Sequence, residues 1–145
     1  MNGGLLQAPK AGTKRGLMLM DTLQLTDSPA ISGREAKYVT IRVDTAAVLK
    51  SWQKSLFSFE WLTPEGKIRR IDDLPMREHD KRLEVEMALK TGGPMERPVL
   101  GIGIMDNVEI GAGRAVFLTL AAAGHKQIEV HIPSSNRDDF KPFVK

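Results

Sequence analysis

Residues 106–114 read DNVEIGAGR, and their types and spacing suit chemistry on a phosphate. Gly111, Ala112 and Gly113 carry little or no side chain, so backbone amides there can approach a ligand closely. A helix starting just after them would add unpaired N–H donors and about half a positive charge. Arg114 adds a planar fork that matches phosphate oxygens. Just upstream, Asp106 and Glu109 offer the oxygen ligands that a divalent cation such as Mg2+ takes, and either could orient a water. On this reading Gly111, Ala112, Gly113 and Arg114 hold the ligand, Glu109 and Arg114 are the catalytic pair, and Asp106 and Glu109 hold the metal. The plainer reading is a tight turn that needs glycine, with Arg114 paired to an acid.

The flanking elements must position these residues. VLGIGIM at 99–105 reads as a buried strand, Asp106 and Asn107 as a turn, and VEIG as a second strand. RAVFLTLAAAG is a helix closed by Gly124, and QIEVHI is a last strand stopped by Pro133. Leu118, Ala122 and Val130 are expected to be buried together. Upstream, KYVTIRVD at 37–44 alternates apolar and polar residues as a strand does, and Asp44 or Thr45 can cap the helix TAAVLKSWQKS. LFSFEWL, TPEG and KIRRI suggest a hairpin over 56–71 with Phe57, Phe59 and Trp61 on one face. That aromatic ladder suits a core face, or could stack nucleotide bases. REHDKRLEVEMALKTGG is a helix with Leu83, Met87 and Leu89 inward, and the charge run Arg77–Arg82 is its solvated face. Two Phe residues in the tail, Phe140 and Phe143, can fold back onto the body. The expected class is α/β (α+β): a small mixed sheet with an added N-terminal strand, helix and hairpin.

Composition narrows the chemistry. The chain has no Cys, which excludes disulfides, thiolate nucleophiles and Cys-based zinc sites. His79, His125 and His131 lack ligand spacing, and His131 reads as a structural strand residue. GIGIMD lacks the third glycine of a dinucleotide fingerprint, GAGR is not followed by the GK[ST] of a Walker loop, and Ser134 and Ser135 stand on no nucleophile elbow. No apolar run reaches the roughly 18 residues of a membrane span, so a cytoplasmic protein without membrane insertion is expected. The net charge of +3 is carried by residues 1–20, which hold Lys10, Lys14 and Arg15 and no acid. A basic flexible arm over 1–20 and one domain over 21–145 follow.

From residue 68 to 132 the chain resembles the ParB/sulfiredoxin-like superfamily. The resemblance lies in IDDL, the glycine-ended helix MALKTGG, the strand RPVLGIGI, the turn MDN, the Gly-x-x-Arg loop in EIGAGR, the helix LTLAAAG and the strand KQIEVHI. It implies a small α/β core whose GAGR turn binds the phosphates of a nucleoside triphosphate, ATP or CTP, with Mg2+ if the site is catalytic. Sulfiredoxin activity needs a Cys in this turn and is excluded. The chain ends soon after the core, so sequence-specific partition-site binding is not expected. In size and domain content it is similar to plasmid-borne fertility-inhibition members with NTPase and DNA-cleaving activity. Two functions follow as expectations: an NTPase or DNase acting on DNA, or a non-catalytic module that contacts DNA, or a protein of partition, conjugation or secretion.

The arm itself can be tested. If its three cations contact nucleic-acid phosphates without sequence specificity, deleting residues 1–20 should weaken binding and reduce the log–log salt slope by up to about 3. An unchanged slope would demote the arm to a solubilising tail.

Overall fold

The computed structural model describes residues 23–144; the arm expected over residues 1–20 lies outside them. The strand–turn–strand–helix–strand order expected for 98–132 is observed, as β4 (Val99–Ile102), β5 (Val108–Ala112), α3 (Arg114–Ala122) and β6 (Gln127–Pro133). Upstream lie β1 (Gln24–Thr26), β2 (Tyr38–Asp44), α1 (Thr45–Trp52), α2 (Met76–Thr91) and β3 (Pro94–Glu96). The main sheet runs β2-β6-β4-β5, and β1 and β3 form a separate parallel pair, so the fold is mixed α/β.

The alternation read in β2 is what pairs it. Val39, Ile41 and Val43 stand opposite Ile132, Val130 and Ile128 on antiparallel β6, which puts three apolar cross-strand pairs on one face. Asp44 ends the strand and caps α1, its carboxylate accepting from the Ala47 amide at 3.1 Å. α1 then buries Thr45, Val48 and Trp52 at helical spacing. β4 turns tightly into β5, and Asp106 takes the left-handed conformation the turn requires, φ 59°. α3 buries Val116 through Leu120 and packs beside α2. Ala122, expected inside with Leu118 and Val130, is exposed: it lies on the last turn of α3, beyond the packed part of the helix.

Two other expectations are corrected. Residues 56–62 form turns and a 3-10 segment at Ser58–Glu60, and the hairpin shrinks to the single bridge Leu62–Ile68. A 3-10 turn has a period of three, so Ser55, Ser58 and Trp61 face inward together. Ser58 Oγ satisfies itself there by donating to the Ser55 carbonyl at 2.9 Å. Phe57 and Phe59 are thereby turned out, 58% and 67% exposed, and do not form a core ladder with Trp61. In α2, Leu83 and Met87 face solvent, while Glu78, Arg82, Val85 and Leu89 face inward. The run Arg77–Arg82 is therefore not simply a solvated face.

The Arg97 guanidinium ties β1 to the main sheet through Asp27, Glu129 and the Leu25 carbonyl, with His131 beside it. The tail does fold back: Phe140 is fully buried and lies 5.8 Å from the Phe143 ring. Phe140→Ala should cost about 3–5 kcal/mol in urea unfolding, as cavity-forming truncations of buried Phe do. A cost under about 1 kcal/mol would mean the tail is a loose appendage.

Candidate functional site

The GAGR turn has two different glycines. Gly113 has φ +76°, and a Cβ there would lie 2.9 Å from the Pro98 Cα, so the fold alone demands glycine. Gly111 is different. Leu100 pairs with Ile110 and Val99 with Ala112, which leaves Gly111 as the extra residue of a β-bulge. A Cβ at Gly111 would meet only the Val99 carbonyl, at an ordinary 3.5 Å. Neither its dihedral nor its packing requires glycine. Gly113 is also the N-cap of α3 and has no side chain with which to cap the first-turn amides.

These residues form one wall of a cleft of about 370 Å³, and Arg77, Glu78 and Lys81 of α2 form the other. Glu78 organises that second wall. Its side chain is only 3% exposed, accepts from the Trp61 indole at 2.8 Å and from Arg77 Nε at 3.1 Å, and has Lys81 Nζ 3.9 Å away. Burial pushes the Glu78 carboxyl up, but Trp61, Arg77, Lys81 and Arg114 together outweigh it and hold it below its ordinary value. The buried carboxylate is thus charged, and it anchors two largely exposed cations at the cleft.

Arg114 enters the cleft wall but is not a free fork. Its guanidinium carbon lies 5.9 Å from the Trp52 ring centre and 5.7 Å from that of Phe57. Its nearest carboxylate is Glu60, at 4.0 Å, which Arg77 also approaches, at 3.9 Å. Arg114 Nε and Trp52 Nε1 are buried donors without an acceptor. Three cations, two carboxylates and a helix N-terminus leave the cleft net positive.

Asp106 and Glu109 do not join it. They lie toward the other end of β5 and do not line the cleft. Both Glu109 oxygens are engaged, one by Ser55 Oγ at 2.6 Å and the other by Asn107 Nδ2 at 3.1 Å. This donor set does not fit a magnesium ion serving the cleft, so the catalytic and metal roles expected for Glu109 and Asp106 find no geometric support. Arg77, Glu78 and Lys81 went unrecognised in the sequence because a charge run at a helix start reads as a wet face. Among the described residues no helix is long and apolar enough to cross a membrane. Comparison with known proteins finds no match among family models, curated proteins or solved structures.

Two acid-sensitive groups should be separable. The folded carboxyl of Glu78 titrates below its ordinary 4.5, so its contribution is complete above that pH and is lost as pH falls through the lower folded value. His125 is held below its ordinary 6.5 by burial, so the unfolded chain protonates first and stability declines on acidification below about that pH. Thermal unfolding should therefore weaken in two windows. Glu78→Gln should flatten only the lower one and His125→Gln only the upper. A Glu78→Gln curve parallel to the parent below pH 4.5 would contradict the charged, buried carboxylate.

Proposed function

We propose that this chain binds a nucleoside triphosphate, ATP or CTP, by its phosphates in the cleft between α2 and the GAGR turn. The observation that carries this reading is the α3 N-terminus, whose N-cap is a glycine without a capping side chain, facing Arg77 and Lys81 across the cleft. Backbone amides supply directional donors, the two cations supply charge, and the bulge at Gly111 leaves room for a close approach. The buried Nε of Arg114, a residue of the cleft wall, also lacks an acceptor.

The geometry favours binding over hydrolysis. The carboxylates near the cleft are engaged by cations or lie off its wall: both Glu78 oxygens accept hydrogen bonds, Glu60 is shared by Arg77 and Arg114, and Glu109 does not line the cleft. Mg2+ would come with the nucleotide, held mainly by its phosphates. The ParB/sulfiredoxin-like resemblance of residues 68–132 belongs to this proposal, as do DNA and a partner in partition or conjugation. The order of elements from β4 to β6 supports it. The module reading is thus preferred to an NTPase or DNase.

Titration calorimetry with ATP, CTP and inorganic tripolyphosphate, with and without magnesium, tests the cleft. Lys81→Ala and Arg77→Ala should each weaken binding about tenfold or more, the usual loss of a charged hydrogen bond. Gly111→Val should keep the fold and lose affinity, whereas Gly113→Ala should destabilise the fold itself. Undiminished binding in folded Lys81→Ala and Gly111→Val would sink the cleft as the site.

A further inference from the structure

We propose that the cleft and the aromatic turn beside it form one surface for single-stranded nucleic acid. A backbone phosphate enters the cleft, and unpaired bases stack on Phe57 and Phe59. The inference rests on the phosphate reading of the cleft and names the polymer that carries the phosphate.

The three-residue period of 55–61 produces this surface. It buries Ser55, Ser58 and Trp61 and turns out Leu56, Phe57 and Phe59, with Leu56 86% exposed. The rings are close to the cleft. Phe57 lies against the Arg114 guanidinium, and Arg114 lines the cleft wall. The Phe59 carbonyl accepts from Arg69 Nε at 3.0 Å, which brings a second guanidinium against the same turn. Glu60, which follows Phe59 in sequence, is offset by Arg77 and Arg114.

Exposed rings interleaved with cations are what a single strand requires, a charged track for its phosphates and flat faces for its bases. A duplex keeps its bases stacked inside and has nothing to offer the rings. A protein interface sets an apolar centre inside a rim of mixed polar groups, whereas the groups flanking these rings are mainly cations, which complement a polyanion. DNA and RNA share this chemistry.

Fluorescence anisotropy with the full chain decides it. The probes are labelled 12-nucleotide oligo-dT and oligo-U, an abasic strand with the same phosphates, and a blunt duplex. The oligonucleotides should bind and be displaced by tripolyphosphate. The abasic strand should bind at least about fivefold more weakly, as should oligo-dT to the Phe57→Ala, Phe59→Ala double variant, at the low end of base–aromatic stacking. Because both rings are exposed, that variant should keep its thermal stability, and Phe59→Ala alone, which leaves the Arg114–Phe57 contact in place, should keep its tripolyphosphate affinity. Equal binding of the abasic strand, tighter binding of the duplex, or an unaffected double variant would overturn the inference. If tripolyphosphate binds and no oligonucleotide does, the single-strand surface falls alone. If neither binds, the cleft reading falls with it.

Discussion

The hydrogen bond from the Trp61 indole to the buried Glu78 carboxylate constrains much of what surrounds it. A carboxylate out of water must be met by donors or it does not stay charged. Trp61 supplies one donor, Arg77 a second and Lys81 a nearby positive charge. Meeting that requirement joins the first turn of α2 to the turn at 55–62. It also fixes where two cations stand relative to α3. Arg82, one helical turn on, lies over the same indole and donates to the Arg69 carbonyl, so Trp61 is gripped twice by one helix.

The cleft is therefore assembled from parts with different structural warrants. Gly113 is glycine because the chain bends and Pro98 is close, a requirement of the fold. Gly111 is a bulge residue under no such requirement, and it opens into the cleft. Arg114 begins the helix, yet packs on aromatic rings and shares Glu60 with Arg77. Its charge contributes to the local field more than its fork contributes to a preset contact. The directional donors are backbone amides, whose position follows from the strand–helix junction and involves no side-chain rotamer.

Much of the fold is legible in the sequence where one periodicity dominates. The alternation of β2 and the apolar runs of β4, β5, α3 and β6 identify those elements, and Asp44 marks the start of α1. Legibility fails where the period is three. Residues 56–61 look like a strand because aromatics alternate there, but buried serines at 55 and 58 share the inward face with Trp61. It fails again in α2, whose inward face carries Glu78 and Arg82, while Leu83 and Met87 point outward. A polar pair that satisfies itself inside leaves no hydrophobic signal. For the same reason half of the site was legible: the loop is a local motif, but its opposite wall comes from a distant helix. Asp106 and Glu109 were drawn in by nearness along the chain, and an extended strand carries them away from the loop.

The most direct measurement is a 15N-amide NMR titration with inorganic pyrophosphate, which has charge and acceptors but no base. Shifts concentrated on the amides of Gly111 through Val116, with the Trp61 indole responding through Glu78, are expected. Shifts confined to scattered surface lysines, or no response from these amides at saturating pyrophosphate, would contradict a phosphate site at the start of α3.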